Sequence, residues 1–272
     1  IGGKTKIFFK PENLNELVIF LKLFNKRGKI FVLGAGSNIL FSDGIFDGVV
    51  IKLSKNFSNL SILKKDIIIA GSGAQDKKVS EFACENSFGG LEFLSCIPGT
   101  VGGGIRMNSG CFDGEFKDIV LSVQAIDDLG NVITIPKNKI KFGYRECDLS
   151  KNLIFLSASL KGNKKSQKLI KEKMILFLSN KEKAQPTRIK TGGSTFKNPI
   201  NQTEKKVWEL VKLSVPLDTK FGDATISEKH CNFFINKDKA TFNDMKKLIN
   251  FVKEKVFINT GIKLSLEIIL VE

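Results

Sequence analysis

Arginine is scarce in this chain: Arg27, Arg106, Arg145 and Arg188 are the only four among 43 basic residues. Histidine is scarcer still. His230 stands alone, which excludes histidine-rich metal sites and makes a Ser-His-Asp triad a poor default. The five cysteines, Cys84, Cys96, Cys111, Cys147 and Cys231, form no CxxC pair, so neither a zinc site nor a disulfide framework is expected, only reduced thiols. No apolar run approaches the roughly 20 residues of a membrane span, and no basic-then-apolar signal segment opens the sequence. The first residue is Ile1 rather than Met, which leaves room for residues upstream. The scarcity of arginine also points forward. Where lysine fills most basic positions, an arginine is expected where a planar, two-pronged donor is needed.

The 272 residues suffice for two domains with cores of their own, and 42% hydrophobic content suits a soluble globular protein. A formal charge of +15 raises the question of a nucleic-acid partner. The lysines, however, are scattered without interleaved aromatics, which is a compositional bias and not a binding stripe. No nucleic-acid partner is expected.

Glycine is abundant and concentrated. Between Gly89 and Gly110 (GGLEFLSCIPGTVGGGIRMNSG) there are seven, with Pro98 among them and Ile97, Val101, Ile105 and Met107 interleaved. A solvated linker would not carry those apolar residues. The segment reads as a buried loop whose amides face a ligand rich in acceptors, most simply a diphosphate, or else as a tightly packed glycine corner with no ligand. A second glycine turn, Gly34–Asn38 (GAGSN), follows an apolar strand. It is not a Rossmann fingerprint, because Ile39 holds the third glycine position and no helix follows; its amides suit an anion-binding nest.

Around these turns the chain reads as alternating short elements. Asn13 and Glu16 form a capping box for a helix keeping its apolar spacing to about Gly28. Strands are expected at 49–53 and 67–70, then a helix capped by Asp76 and running through about Asn86. Segments 119–127 and 131–135 alternate around DDLGN as a hairpin, and 153–160 is a further strand. Composition changes at KGNKKSQK (161–168), the expected domain boundary. Beyond it come a helix over 166–183 with Leu169, Ile170, Met174, Ile175 and Leu178 inward, a short helix near Trp208, a helix over 242–256, and a closing strand KLSLEIILVE.

Three positions far apart in sequence offer chemistry. Arg145 in FGYREC suits a carboxylate held bidentately, or is a surface arginine. Ser194, after two glycines, presents a hydroxyl to a ligand, or caps a helix. Glu267 is a lone acid in an apolar strand, sharing its face with Ser265 and Ile269, and is either exposed or buried for a purpose.

Taken together, IPGTVGG with MNSG, GAGSN with FDGVV behind it, YR, GGSTFKNP, SEKH-NF-IN and a glutamate in the last strand occur in the order found in the MurB family of UDP-N-acetylenolpyruvoylglucosamine reductases. The resemblance runs from Ile1 to the C-terminus. It implies an α+β protein: an FAD-binding fold of the vanillyl-alcohol-oxidase/PCMH-like type over 1–162, in two subdomains split near 55–65, then a smaller α/β substrate domain over 163–272. It also implies that FAD is held by Gly34, Ala35, Gly36, Ser37, Asn38, Ile97, Pro98, Gly99, Thr100, Gly102, Gly103, Asn108 and Gly110, and that NADPH is the reductant. Arg145, Ser194 and Glu267 match the family's catalytic arginine, proton-donating serine and glutamate. Tyr144, Arg188, Lys190, Lys197 and Asn198 fall where substrate is contacted.

The implied reaction reduces an enolpyruvyl ether on a UDP-sugar, in the cytoplasm, for peptidoglycan and hence for cell wall, shape and division. A monomer without metal, membrane or nucleic acid is expected. Three departures stand out: LEIIL where PEVR is common, RIKTGGS where PSAGS is common, and no tyrosine-bearing insertion, Tyr144 being the only tyrosine. The alternatives are another flavoprotein oxidoreductase of the same fold, for which His230 lies in the wrong lobe to tether flavin, and a basic nucleic-acid-binding protein.

Overall fold

The computed structural model describes residues 1–187 and 189–272; Arg188 lies outside the described residues. Its α-helices are α1 Leu14–Phe24, α2 Asp76–Glu85, α3 Val101–Arg106, α4 Phe116–Ile119, α5 Gln167–Ala184, α6 Val207–Ser214 and α7 Phe242–Thr260. The chain forms two compact units, a larger one of residues 7–35 and 47–181 and a smaller one of 1–6, 36–46 and 182–272.

The larger unit has two cores. In the first, strand Lys29–Val32 pairs in parallel with 48–51, and α1 lays Leu17 and Leu21 against Val49 and Ile51. The expected cap is present: Asn13 Oδ1 accepts the Glu16 amide at 2.9 Å. The second core lies against a five-stranded antiparallel sheet in the order 132–136, 120–126, 154–161, 67–71, 60–64. Against it α2, α3 and α4 bury Val79, Val101, Ile105 and Phe116. The expected hairpin is there, Val123 facing Ile135 across it, with Asp127 Oδ1 taking the Leu129 and Asn131 amides in its turn.

Two expectations for this unit are corrected. Asp76 is not the cap of α2. Gln75 holds that position with no side-chain bond, and Asp76 is the first helical residue, its carboxyl turned fully inward. The two compact units divide at 181/182, whereas the expected domain boundary lies at 162/163. The polar run at 161–168 holds a two-residue strand, Asn163–Lys164, paired with Phe88–Gly89, and α5 beyond it stays with the larger unit through buried Ile170, through Phe177 on the second core, and through Gln167 Nε2 bonding the Glu85 carbonyl at 2.7 Å. Leu169 and Ile175, expected inward, are exposed.

In the smaller unit a four-stranded antiparallel sheet runs in the order 191–194, 233–236, 224–226, 220–221, packed by α6 and α7 through Leu210, Val211, Leu248 and Val252. Residues 36–46 are tied into this unit at three points. Strand Ile39–Phe41 pairs in parallel with Ile269–Val271. Asn38 Nδ2 donates to the Glu267 carbonyl at 3.0 Å. Asp43 Oδ1 accepts the Phe242 amide at 2.8 Å, at the start of α7. The expected long closing strand is shortened to Ile269–Val271. Glu267 sits in a bend before it, where both its own amide and that of Ile268 turn to the Thr195 carbonyl, so its pleat relation to Ser265 and Ile269 does not hold.

Candidate active site

In the smaller unit, strand Thr191–Ser194 carries a bulge. Thr191 faces Ile235 and Ser194 faces Phe233, three steps on one strand against two on the other. Gly192 and Gly193 absorb the extra residue, Gly193 at φ +82, a conformation that favours glycine. Thr191 Oγ1 pins the bulge, donating to the Phe234 carbonyl at 2.7 Å and accepting the Gly193 amide at 3.3 Å. Ser194 therefore emerges from a strand bulge and does not cap a helix.

Just beyond it, 195–197 runs against 265–267: the Thr195 carbonyl takes the Glu267 amide at 2.9 Å and the Ser265 carbonyl takes the Lys197 amide at 2.9 Å. Ser194 and Glu267 are thus brought to one end of a single short ladder, both half-buried. The backbone of the Ser37–Asn38 turn closes on the same place, through Asn38 on Glu267 and the Ser37 carbonyl behind Gly193. Buried Asn232 holds the ladder from behind with a two-way amide bond to the Phe196 backbone, 2.9 Å each way. Nothing in the spacing of SEKHCNFFIN singles out that asparagine. Of the expected substrate contacts in this unit, Asn198 uses its side-chain oxygen on the Val207 amide opening α6, Lys197 is half-buried, and Lys190 is exposed. Arg188 lies outside the described residues.

In the larger unit the glycine segment is partly helical. Instead of one continuous loop, residues 97–100 bend at Gly99, whose amide turns back to the Ile97 carbonyl at 2.9 Å, and α3 takes up 101–106. Its glycines divide by cause. A Cβ on Gly104 would lie 2.1 Å from the Phe116 ring, and one on Gly102 would lie 3.1 Å from Ser72, so packing explains both. Gly99 is pressed against the Asp76 carboxyl, and Gly34 against the Thr100 hydroxyl. Gly103 is different. A Cβ there would meet only Thr100 Oγ1, at 3.6 Å, and its amide has no backbone acceptor among the described residues. Packing leaves that glycine unexplained.

Beneath Gly99, burial alone pushes the Asp76 carboxyl well above the usual carboxylate range, and neither of its oxygens has a hydrogen-bond partner among the described residues. Asn108, expected at the cofactor, is fully buried and uses its amide internally, on Glu115, on the Gly143 carbonyl and on the Lys117 amide.

Arg145 sits in the two-residue turn between Phe142–Gly143 and Glu146–Cys147, at φ +58, rare for a residue with a side chain. Its guanidinium lies over the Tyr144 ring at 5.1 Å and donates to the Gly110 carbonyl at 3.0 Å. The expected catalytic arginine therefore belongs to the tail of the glycine segment.

A family model described as the C-terminal domain of UDP-N-acetylenolpyruvoylglucosamine reductase matches residues 185–271, and one described as an FAD binding domain matches 5–136. The UDP-N-acetylenolpyruvoylglucosamine reductase of Pelagibacter ubique (strain HTCC1062) is 61% identical over 268 residues, 98% of this chain and 89% of that protein. The chain belongs to the UDP-N-acetylenolpyruvoylglucosamine reductase family. The Rickettsia typhi (strain ATCC VR-144 / Wilmington) reductase is 42% identical over 98% of this chain and 90% of its own length. The crystal structure of MurB from Thermus caldophilus superposes with a TM-score of 0.83 at 28% identity, over 97% of this chain and 92% of that one. The architecture is accordingly the α+β one expected, a PCMH-type FAD-binding domain with a MurB C-terminal domain. Members of this reductase family use FAD, with NADPH as reductant. FAD fits the larger unit on one observation: Gly103 keeps a side chain away from a face that nothing else packs.

Proposed function

We infer that the chain reduces the enolpyruvyl ether of UDP-N-acetylglucosamine to the lactyl ether, giving UDP-N-acetylmuramate for peptidoglycan, with Arg145, Ser194 and Glu267 as its catalytic groups. The observation that carries this is the single ladder that brings Ser194 and Glu267 together, 73 positions apart in sequence, in a chain matching a family member over 98% of its length. The larger unit, with Gly34, Thr100 and Gly103, holds FAD; Tyr144, Arg188, Lys190, Lys197 and Asn198 are the substrate contacts.

Gly34, Thr100 and Gly103 would hold FAD, which when bound would supply the hydride, with NADPH as its reductant. Arg145 offers paired donors to the substrate carboxylate, into which negative charge spreads as the reaction proceeds. Glu267 acts with it at that end of the substrate. Ser194 gives its Oγ proton to the adjacent carbon; serine is a weak acid, but a carbanionic centre is a strong base. The same reading makes the enzyme cytoplasmic and monomeric, without a nucleic-acid partner. No described helix is long and apolar enough to cross a membrane.

Ser194→Ala tests the assignment by separating the two halves of turnover. Bleaching of the bound flavin by NADPH needs no proton from Ser194 and stays at the wild-type rate. Reoxidation by the enolpyruvyl sugar slows by about 10²–10⁴-fold, the usual worth of a general acid. Anaerobic stopped-flow absorbance reads both, and normal rates in both halves would leave the serine as a turn residue only.

A further inference from the structure

The surroundings of Arg145 are more ordered than a substrate-facing arginine needs for stability. Gly110 and Glu115 face each other as a paired couple across the small hairpin 110–115. Each presents one acceptor to the guanidinium: the Gly110 carbonyl to Nη2 at 3.0 Å, and Glu115 Oε1 to Nη1 at 3.5 Å. Two acceptors set by one strand pairing fix the plane of a forked donor as well as its position. Glu115 is itself held. Its Oε2 takes Asn108 Nδ2 at 3.1 Å and Lys117 Nζ at 2.6 Å, and its backbone amide donates to Asp118 Oδ2 at 2.9 Å. The Asn108 amide group also donates to the Gly143 carbonyl at 2.9 Å, one residue before the turn that carries Arg145. One buried asparagine thus ties together the hairpin that grips the guanidinium and the hairpin that presents it.

We propose that Glu115 is the positioning residue for Arg145, holding the guanidinium plane in the orientation that receives the substrate carboxylate, with Asn108 as the brace. The proposal rests on the reading of Arg145 as the carboxylate-binding arginine. Glu115 need not touch substrate or flavin. Its carboxylate is four-fifths buried and works through the arginine. The Tyr144–Arg145 turn has a left-handed residue at its tip and joins two strands of two residues each, and the clamp adds rigidity to that short hairpin.

The test is a double-mutant cycle on the flavin-loaded enzyme with Glu115→Gln, Arg145→Lys and the pair, reading the reoxidation of reduced flavin by the enolpyruvyl sugar. Flavin content and bleaching by NADPH serve as the check on folding. Glu115→Gln keeps the shape and one acceptor but weakens the grip, so kcat/KM for the sugar falls about tenfold, with KM rising along with the loss in kcat. In the Arg145→Lys background the same change costs less than twofold, because no fork remains to be aligned. Glu115→Asp draws the carboxylate back by one methylene while keeping its charge. It loses activity like the glutamine variant, and it stands in for that variant should it fold poorly.

Full kcat/KM in both Glu115 variants would overturn the proposal. So would equal losses from Glu115→Gln with and without Arg145, since the glutamate would then act elsewhere. Should Arg145→Lys alone react at the wild-type rate, the reading of the arginine falls, and the clamp with it.

Discussion

Arg145 and Asp76 show how differently single residues bear on this molecule. Arg145 stood out in the sequence by rarity, and its fork meets two fixed acceptors in the structure. Arg145→Lys keeps the charge and loses that geometry, so turnover of the enolpyruvyl sugar is expected to drop by about 10²-fold, the scale of a lost transition-state donor. Arg27→Lys, at an exposed position just after α1, changes turnover by less than twofold in the same assay. Asp76 was misread from sequence, because an acid at a helix start usually caps it and only the fold reveals that this one points inward. Its folded-state pKa is raised by burial. Its stabilising contribution is therefore fully present below the unfolded value of about 3.9 and is lost as pH rises from there through the raised folded value. Asp76→Asn removes the ionisation. The variant is more stable than the wild type at pH 8, with the gap closing towards pH 4, as thermal melts at the two pH values would show.

At the level of elements, α3 separates glycines that serve packing from one that serves a ligand. Gly104→Ala drives a methyl into the Phe116 ring and destabilises the protein by about 1–3 kcal/mol, the cost of overpacking. Gly103→Ala has room for its methyl and sits in a helix, where alanine is favoured over glycine by about 1 kcal/mol. The expected outcome is a protein that melts no lower without flavin yet retains less FAD after gel filtration. A Gly103→Ala protein with full flavin would remove the loop from the cofactor site. The sequence could show that the glycines were clustered. It could not show which neighbours each would meet, because Phe116 and Ser72 reach them only through tertiary packing. The same limit explains α5, whose apolar residues suggested an inward face although only Ile170 is buried, and Glu267, whose apolar flanks imitated a strand while Thr195 and Asn38 bend the chain. What was legible came from local chemistry: the Asn13 cap, the DDLGN hairpin and the GAGSN turn without a helix.

Across the whole molecule, contiguity in sequence and membership of a unit part company. Residues 36–46 interrupt the larger unit in sequence and belong to the smaller one, a membership that no change of composition along the chain marks. Asp43 binds this segment to the start of α7, and Asp43→Ala is expected to cost about 1 kcal/mol, as for loss of a helix cap, measurable by urea titration of the flavin-loaded protein.

The pairing of Ile39–Phe41 with Ile269–Val271 has a consequence in time. The ribosome makes the second partner some 230 residues after the first, so strand Ile39–Phe41 waits that long for the strand it pairs with. Residues 47–181 leave the tunnel as one uninterrupted stretch and are free to fold meanwhile. Protection of strand Ile39–Phe41 from protease should therefore come late on stalled nascent chains, only once residue 271 has cleared the exit tunnel.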